Sequence, residues 1–118
     1  GDGSIVRDYI HIADLSVGLF ALASANFSED EGLPVFNIGS GFGVSLNGIL
    51  ETLRSHLLLN PNVTYLPGRA FDVPVSIMDI TKAKAVLDWY PSLSFEAGCA
   101  RMLDDIRSGK TLFSTLSD

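Results

Sequence analysis

The sequence predicts a small α/β domain in which about four helices pack on short strands. Short runs of β-branched and aromatic residues alternate with longer stretches whose apolar residues recur at helical spacing. Glycine, proline and serine stand at the boundaries between these stretches. The length of 118 residues suits one domain with a single core and makes two domains unfavourable.

The first predicted elements are a strand and a helix. Residues 5–12 are mostly β-branched or aromatic and favour an extended chain, although Arg7 and Asp8 interrupt them. Asp14 suits the N-cap of an apolar helix over residues 14–26. The apolar residues of this helix are so dense that we expect it to be largely buried.

The middle of the chain is punctuated by turns. Residues 26–34 are acidic and predict an exposed connection, and residues 35–38 predict a short strand. Residues 39–43 are glycine-rich, but Val44 occupies the last position of a G-x-G-x-x-G pattern, so we interpret them as a tight turn and not as a dinucleotide loop. Ser45 then caps an amphipathic helix that ends near residue 60.

The second half predicts two short strands, at residues 63–66 and 75–78, and two helices. Serine and threonine precede both helices as caps, and a Ser-Gly pair ends the second one. Beyond residue 110 we expect a frayed tail. The residues that set these boundaries are Thr81, Trp89, Pro91, Ser94, Ser108 and Gly109.

Composition and charge exclude several classes of function. A net charge of -6 disfavours nonspecific binding to nucleic acid or to anionic membranes, so an anionic ligand must be held locally by a few arginines. Cys99 is the single cysteine, which excludes an internal disulfide and favours a reducing, cytoplasmic compartment. From the sequence we expect neither a signal peptide nor a membrane-spanning run. The hydrophobic content of 47% suggests a face that something covers.

Two arginines stand close to aspartates and are the candidate anion ligands. Arg7 and Asp8 lie where the first strand meets the first helix, and Arg69 precedes Asp72 by three positions in a loop rich in proline and glycine. A guanidinium offers a planar fork of donors that pairs bidentately with phosphate or carboxylate. The alternative for each arginine is a salt bridge, and the alternative for Asp72 is a turn cap.

Tyr9 is a further candidate because it shares a strand face with His11 and can meet a ligand or a partner domain. Half-buried packing is the alternative for both side chains. His11 has no cysteine or histidine companion at ligand spacing, so we expect no metal site.

Five motifs in a fixed order carry a family resemblance. They cover most of the chain, up to about residue 105, and comprise G-D-G at residues 1–3, R-D-Y-I-H-I-A-D at 7–14, F-N-I-G-S-G at 36–41, G-R-A-F-D-V at 68–73, and D-I-T-K-A-K-A-V-L-D-W at 79–89. This series resembles the carboxyl-terminal, substrate-binding part of the NAD-dependent nucleotide-sugar epimerases and dehydratases, the extended short-chain dehydrogenases that include UDP-glucose epimerase.

The resemblance implies roles for the candidate residues. Arg7 and Arg69 match arginines that contact the diphosphate of a nucleotide sugar, and Asp72 matches an acidic residue that binds ribose or orients an arginine. Tyr9 joins them as a fourth substrate-binding candidate. The implied organisation is a substrate-binding domain over residues 1–110, part of a larger enzyme whose Rossmann region is absent from this sequence.

The same resemblance implies that this chain does not catalyse the reaction alone. The family binds NAD through a glycine-rich loop and moves protons with a Tyr-x-x-x-Lys pair. The fourth residues after the three tyrosines here are Ala13, Arg69 and Ser94, so no tyrosine has its lysine. We therefore expect nucleotide-sugar binding without a catalytic residue or a cofactor of its own. Two alternatives stay open: a free-standing interaction or dimerisation module, and a functionless truncated remnant.

Overall fold

The computed structural model describes residues 1–27 and 34–109, which form a three-stranded sheet and four helices. The predicted α/β class with about four helices is confirmed. The predicted frayed tail and most of the predicted acidic connection lie outside the described residues. The elements are β1 (Val6–Asp8), α1 (Ile12–Ser24), β2 (Gly43–Ser45), α2 (Leu46–Glu51) with a π-helical turn (Thr52–His56), β3 (Val75–Ser76), α3 (Thr81–Leu87) and α4 (Phe95–Arg107).

Strand β1 is the centre of the sheet, which has the order β2-β1-β3. It pairs antiparallel with β2, where Val6 is opposite Ser45, and parallel with β3, where Val6 is opposite Val75. Both edges of β1 are therefore taken. The strands predicted at residues 35–38 and 63–66 are wrong, because neither segment pairs with a strand of this sheet.

The cap predicted for the first helix is also wrong. The N-cap of α1 is His11, whose Nδ1 accepts a hydrogen bond of 3.1 Å from the backbone of Ala13. Asp14 lies in the first turn and is buried, with 6% of its surface exposed. Its carboxylate accepts hydrogen bonds from Ser92 Oγ at 2.7 Å and from the Leu93 N–H at 3.0 Å. Asp14 thereby ties α1 to the segment that leads into α4.

The serine caps are confirmed. Ser45 accepts from the Gly48 N–H at 2.9 Å, and Ser94 accepts from the Ala97 N–H at 3.2 Å. The cap predicted at Thr81 is wrong, because Thr81 is the first residue of α3 and Ile80 holds the N-cap position. The Thr81 N–H donates to Asp79 Oδ1. The helix predicted to run from residue 46 towards residue 60 is shorter: α2 gives way to the π-helical turn.

The core is small and includes the contact between α1 and Trp89, which follows α3. Among the described residues, the buried apolar ones are Ile80, Ala83 and Trp89. Gly18 of α1 packs against Trp89, since a Cβ at Gly18 would stand 2.9 Å from the indole. The predicted burial of α1 is wrong, because one side of the helix meets Trp89 while several large side chains stay open to solvent. These are Ile12, Val17, Leu19 and Phe20.

The described helices also bear on membrane insertion. The longest of them, α1 and α4, have 13 residues each. Within the described ranges no helix combines the length and the apolar character that a bilayer crossing requires.

The contact between Gly18 and Trp89 leads to a first prediction. Gly18→Ala places a Cβ 2.9 Å from Ile38 Cγ2 and from Trp89 Cε2. Overpacking of this kind costs about 1–3 kcal/mol of unfolding free energy. Urea unfolding followed by tryptophan fluorescence measures the loss.

Gly98→Ala is the matched control, because Gly98 is also a buried glycine inside a helix. Its added Cβ would meet the ring of His11 at 3.5 Å, an ordinary contact distance. Removing glycine from a helix interior gains roughly 0.5–1 kcal/mol where nothing clashes. Equal unfolding midpoints for the two variants would contradict the close packing of Gly18 on Trp89.

Candidate functional site

The glycine-rich turn before β2 wraps around the carboxylate of Asp8. Oδ1 accepts hydrogen bonds from the Ser40 N–H at 2.7 Å and from Ser40 Oγ at 2.6 Å. Oδ2 accepts from the backbone of Gly41 at 2.9 Å and of Met78 at 3.2 Å. Gly41 has a φ of 74°, a left-handed conformation that favours glycine. The predicted tight turn is confirmed, and the anion that it holds is a side chain of this chain.

This environment changes the acidity of Asp8. Partial burial alone would raise the pKa of the carboxyl group, but hydrogen bonds from Ser40, Met78 and Gly41 stabilise the charged form. The pKa of Asp8 therefore lies below its ordinary value of 3.8.

Arg7 does not pair with the neighbouring Asp8. Its Nη1 donates to the carbonyl oxygen of Val6 at 2.7 Å and to that of Val73 at 2.8 Å. The Val6 N–H also donates to the Pro74 carbonyl at 2.9 Å. Strand β1 thereby holds the end of the loop that carries the second arginine, and the local salt bridge considered for Arg7 is wrong.

Arg69 is ion-paired with Asp72. Arg69 Nη2 lies 3.0 Å from Asp72 Oδ1, and Nε donates to Asp72 Oδ2 at 3.1 Å. The guanidinium carbon also lies 5.3 Å from the centroid of the Phe71 ring. Of the two roles that the resemblance implies for Asp72, the structure shows the carboxylate orienting an arginine.

Three of the four predicted site residues line one cavity of about 730 Å³. Arg7 reaches it from β1, while Arg69 and Asp72 reach it from the loop before β3. Asn47 and Tyr65 add polar groups to the lining of the same cavity. The remaining lining is glycine and mainly apolar, and includes Ile5, Leu46, Ile49, Leu50, Val63, Leu66 and Pro67. The cavity can thus offer charged donors beside an apolar surface.

The fourth predicted residue, Tyr9, lies apart from the two arginines. It lines a second, apolar cavity of about 260 Å³, and its ring centroid is 5.8 Å from that of Phe95. Cys99 lines the same cavity, and burial raises the pKa of its thiol. Ile49 lines both cavities, so the two are neighbours along α2.

Sequence reasoning missed Asn47 and Tyr65. The Tyr65 hydroxyl lies 3.0 Å from Asn47 Oδ1 and donates to it, while Asn47 Nδ2 donates to the Asp2 carbonyl at 2.9 Å. The pair joins the loop before β3 to α2 and to the start of the chain. No spacing in the sequence signals a bond between residues so far apart, because it depends on the tertiary fold.

The sequence and the fold both have close counterparts among characterised proteins. No protein-family model matches the chain. It is 33% identical over 105 residues to a UDP-glucuronate 4-epimerase of Thermodesulfobacterium geofontis, covering 88% of this chain and 31% of that protein. It is 30% identical over 108 residues to UDP-glucuronic acid decarboxylase 1 of Arabidopsis thaliana, covering 92% and 24%.

A solved structure agrees with these relatives. The UDP-glucose 4-epimerase of Thermotoga maritima with UDP-glucose superposes with a TM-score of 0.79 at 32% identity, over 94% of this chain and 34% of that one. In sequence and in fold, the chain matches the carboxyl-terminal part of the extended short-chain dehydrogenases. The chain spans about a third or less of the length of these epimerase-family relatives. The resemblance inferred from the five motifs is confirmed.

The contacts of Asp8 lead to a second prediction. Asp8→Asn replaces a carboxylate that accepts four hydrogen bonds with an amide that has one acceptor oxygen. Bonds to a charged acceptor are worth about 1.5–3 kcal/mol each, and an unpaired donor costs about 1–3 kcal/mol, so we expect a loss of about 2 kcal/mol in unfolding free energy at pH 7. Urea unfolding measures it.

The effect of Asp8→Asn should depend on pH. Because the folded pKa of Asp8 lies below 3.8, the carboxylate contributes stability above that value and loses it as the pH falls through the folded pKa. The gap between the parent chain and the variant should therefore narrow in acid. Asp104→Asn, at an exposed position of α4, serves as the control. A gap that stays constant between pH 7 and pH 3 would contradict the role of the charge.

Proposed function

We propose that the chain binds the nucleotide and diphosphate of a UDP- or dTDP-sugar, as the substrate-binding part of an NAD-dependent epimerase or dehydratase. The observation that carries the proposal is the meeting of Arg7 and Arg69 on one cavity, although they lie far apart in the sequence. The relatives support the ligand class, because they are a UDP-glucuronate 4-epimerase and a UDP-glucuronic acid decarboxylase, and the Thermotoga epimerase is solved with UDP-glucose.

The charge distribution supports an anionic ligand. The chain as a whole carries a net charge of -6, which repels anions at long range. A local site with two guanidinium groups overcomes this repulsion only for a ligand that engages both. A diphosphate has the charge and the spread of oxygens to do so, because each guanidinium pairs with phosphate oxygens bidentately.

The ion pair of Arg69 with Asp72 fits this ligand. The pair leaves donors of Arg69 for a phosphate, while the carboxylate of Asp72 is an acceptor of the kind that hydroxyl groups of a ribose require. The apolar part of the lining, such as Leu46 and Val63, suits the faces of a base. In this proposal Tyr9 contributes to substrate binding from the neighbouring cavity, which it lines.

The proposal assigns binding and not chemistry to this chain. None of its three tyrosines has a lysine four residues further on, so no side-chain pair of the family's catalytic type is available in this sequence. Hydride and proton transfer are assigned to the NAD-binding part that accompanies this region in the family.

The third prediction concerns Arg69. Arg69→Ala should raise the dissociation constant for UDP-glucose about 10- to 100-fold, because charge-assisted hydrogen bonds to phosphate contribute about 1.5–3 kcal/mol. Arg69 is 67% exposed at its side chain, so the substitution leaves the core intact. Titration calorimetry with UDP-glucose and dTDP-glucose gives the constants, and NAD is the ligand control.

Arg54→Ala is the matched control variant. Arg54 is exposed on the π-helical turn and lies outside the lining of the cavity. The net charge changes equally in both variants, so a general electrostatic effect would weaken the binding of UDP-glucose to the same extent in each. Equal affinities of the two variants would therefore overturn the site assignment, and a parent chain that binds neither nucleotide sugar would overturn the binding function.

The exposed side of α1 favours a second candidate function, self-association. Val17, Leu19 and Phe20 are 59%, 53% and 74% exposed, in a helix that is mainly apolar. Exposed apolar clusters of this kind commonly mark contact surfaces. We propose that a second copy of this chain covers this side of α1.

The fourth prediction tests this association. The weight-average mass from light scattering should rise with concentration for the parent chain, and Phe20→Glu should keep it at the mass of a monomer because a buried, unpaired carboxylate is costly. Phe42→Glu, at a position that is 77% exposed outside the helices, should leave the association unchanged. A parent chain that stays monomeric at high concentration would exclude this second function.

A further inference from the structure

The aromatic ring of Phe71 lies beside Arg69, and the role we assign to it rests on the proposed function. We propose that Phe71 is a positioning residue, which holds the Arg69 guanidinium in the orientation that receives a phosphate. Phe71 has no part in the core, since 79% of its surface is exposed. It also lies outside the lining of the cavity, to which Arg69 and Asp72 belong. Phe71 therefore contacts Arg69 from outside the cavity.

One edge of the Arg69 guanidinium is paired with Asp72, and the other edge is open to a ligand. Asp72 takes the edge formed by Nε and Nη2. Nη1 of Arg69 makes no hydrogen bond to any of the described residues. The edge formed by Nη1 and the outer hydrogen of Nη2 is thus open, and it has the two parallel donors that a phosphate accepts.

The face of the guanidinium is used differently from its edges. Its carbon lies 5.3 Å from the centroid of the Phe71 ring, within the range of a cation–π contact. Such a contact consumes no N–H donor. Asp72 orients Arg69 but also neutralises its charge, whereas Phe71 orients it and leaves both the charge and the free edge to the ligand.

The consequence for binding is a smaller loss of side-chain freedom. Immobilising an exposed arginine side chain on binding costs free energy. Arg69 is 67% exposed, and the contacts that restrain it among the described residues are the ion pair with Asp72 and the ring of Phe71. A ring that restricts the guanidinium beforehand lowers this cost. Phe71 therefore acts on the affinity of the phosphate through Arg69, without touching the ligand.

The fifth prediction compares Phe71→Leu with Phe71→Tyr. Leucine keeps an apolar side chain but lacks the π face, so the dissociation constant for UDP should rise about 2- to 5-fold. Tyrosine restores the π face and should return the parent value. Phe42→Leu, a similarly exposed position that lines neither cavity, should bind as the parent chain does. Titration calorimetry with UDP at fixed ionic strength measures all four proteins.

Nuclear magnetic resonance supplies a readout that does not depend on the ligand. The Nε–Hε signal of Arg69, assigned by its loss in Arg69→Lys, should be displaced by the ring current of Phe71 and should move in Phe71→Leu but not in Phe71→Tyr. A signal that stays in place in Phe71→Leu, or an unchanged affinity for UDP in that variant, overturns the inference. Failure of the parent chain to bind UDP overturns the proposed function instead, and the Arg69 signal still reports whether the ring holds the guanidinium.

Discussion

The carboxylate of Asp8 is the constraint on which the arrangement of the sheet depends. It stands at the end of β1 and accepts hydrogen bonds from Ser40 and Gly41 on one side and from Met78 on the other. One charged group thus fixes the turn that leads into β2 and the segment that follows β3. The turn approaches so closely that a Cβ on Gly39 would lie 2.9 Å from Asp8 Oδ2. A charged acceptor stabilises this arrangement more than a neutral one would.

The position of the cavity follows from the alternation of side chains along β1. Adjacent residues of a strand point to opposite faces of the sheet, so Arg7 and Asp8 serve different partners although they are neighbours in sequence. Asp8 holds the glycine-rich turn, while Arg7 bonds to the Val73 carbonyl and lines the cavity. The loop that carries Arg69 is thereby attached to the sheet at its far end, and Tyr65 attaches it to α2 through Asn47.

A large amount of apolar surface is exposed to solvent. The chain is 47% hydrophobic, yet its buried apolar residues are only Ile80, Ala83 and Trp89 among the described residues. A helix with apolar residues all round is ordinarily enclosed. Here α1 meets Trp89 through Gly18 and presents Phe20 to solvent. The chain matches about a third of the length of the Thermotoga epimerase.

The sequence by itself determined the class of fold, the family resemblance, the serine caps of α2 and α4, and three residues that meet on one cavity. These features depend on local pattern: helical spacing, turn residues and motifs in order. Only the tertiary structure decided that residues 35–38 and 63–66 form no strand and that Asp14 bonds to Ser92. It also decided that Arg7 bonds to backbone carbonyl oxygens and not to Asp8. Each of these outcomes depends on which segments compete for a strand edge or a hydrogen-bond donor, and that competition has no signature in the local sequence.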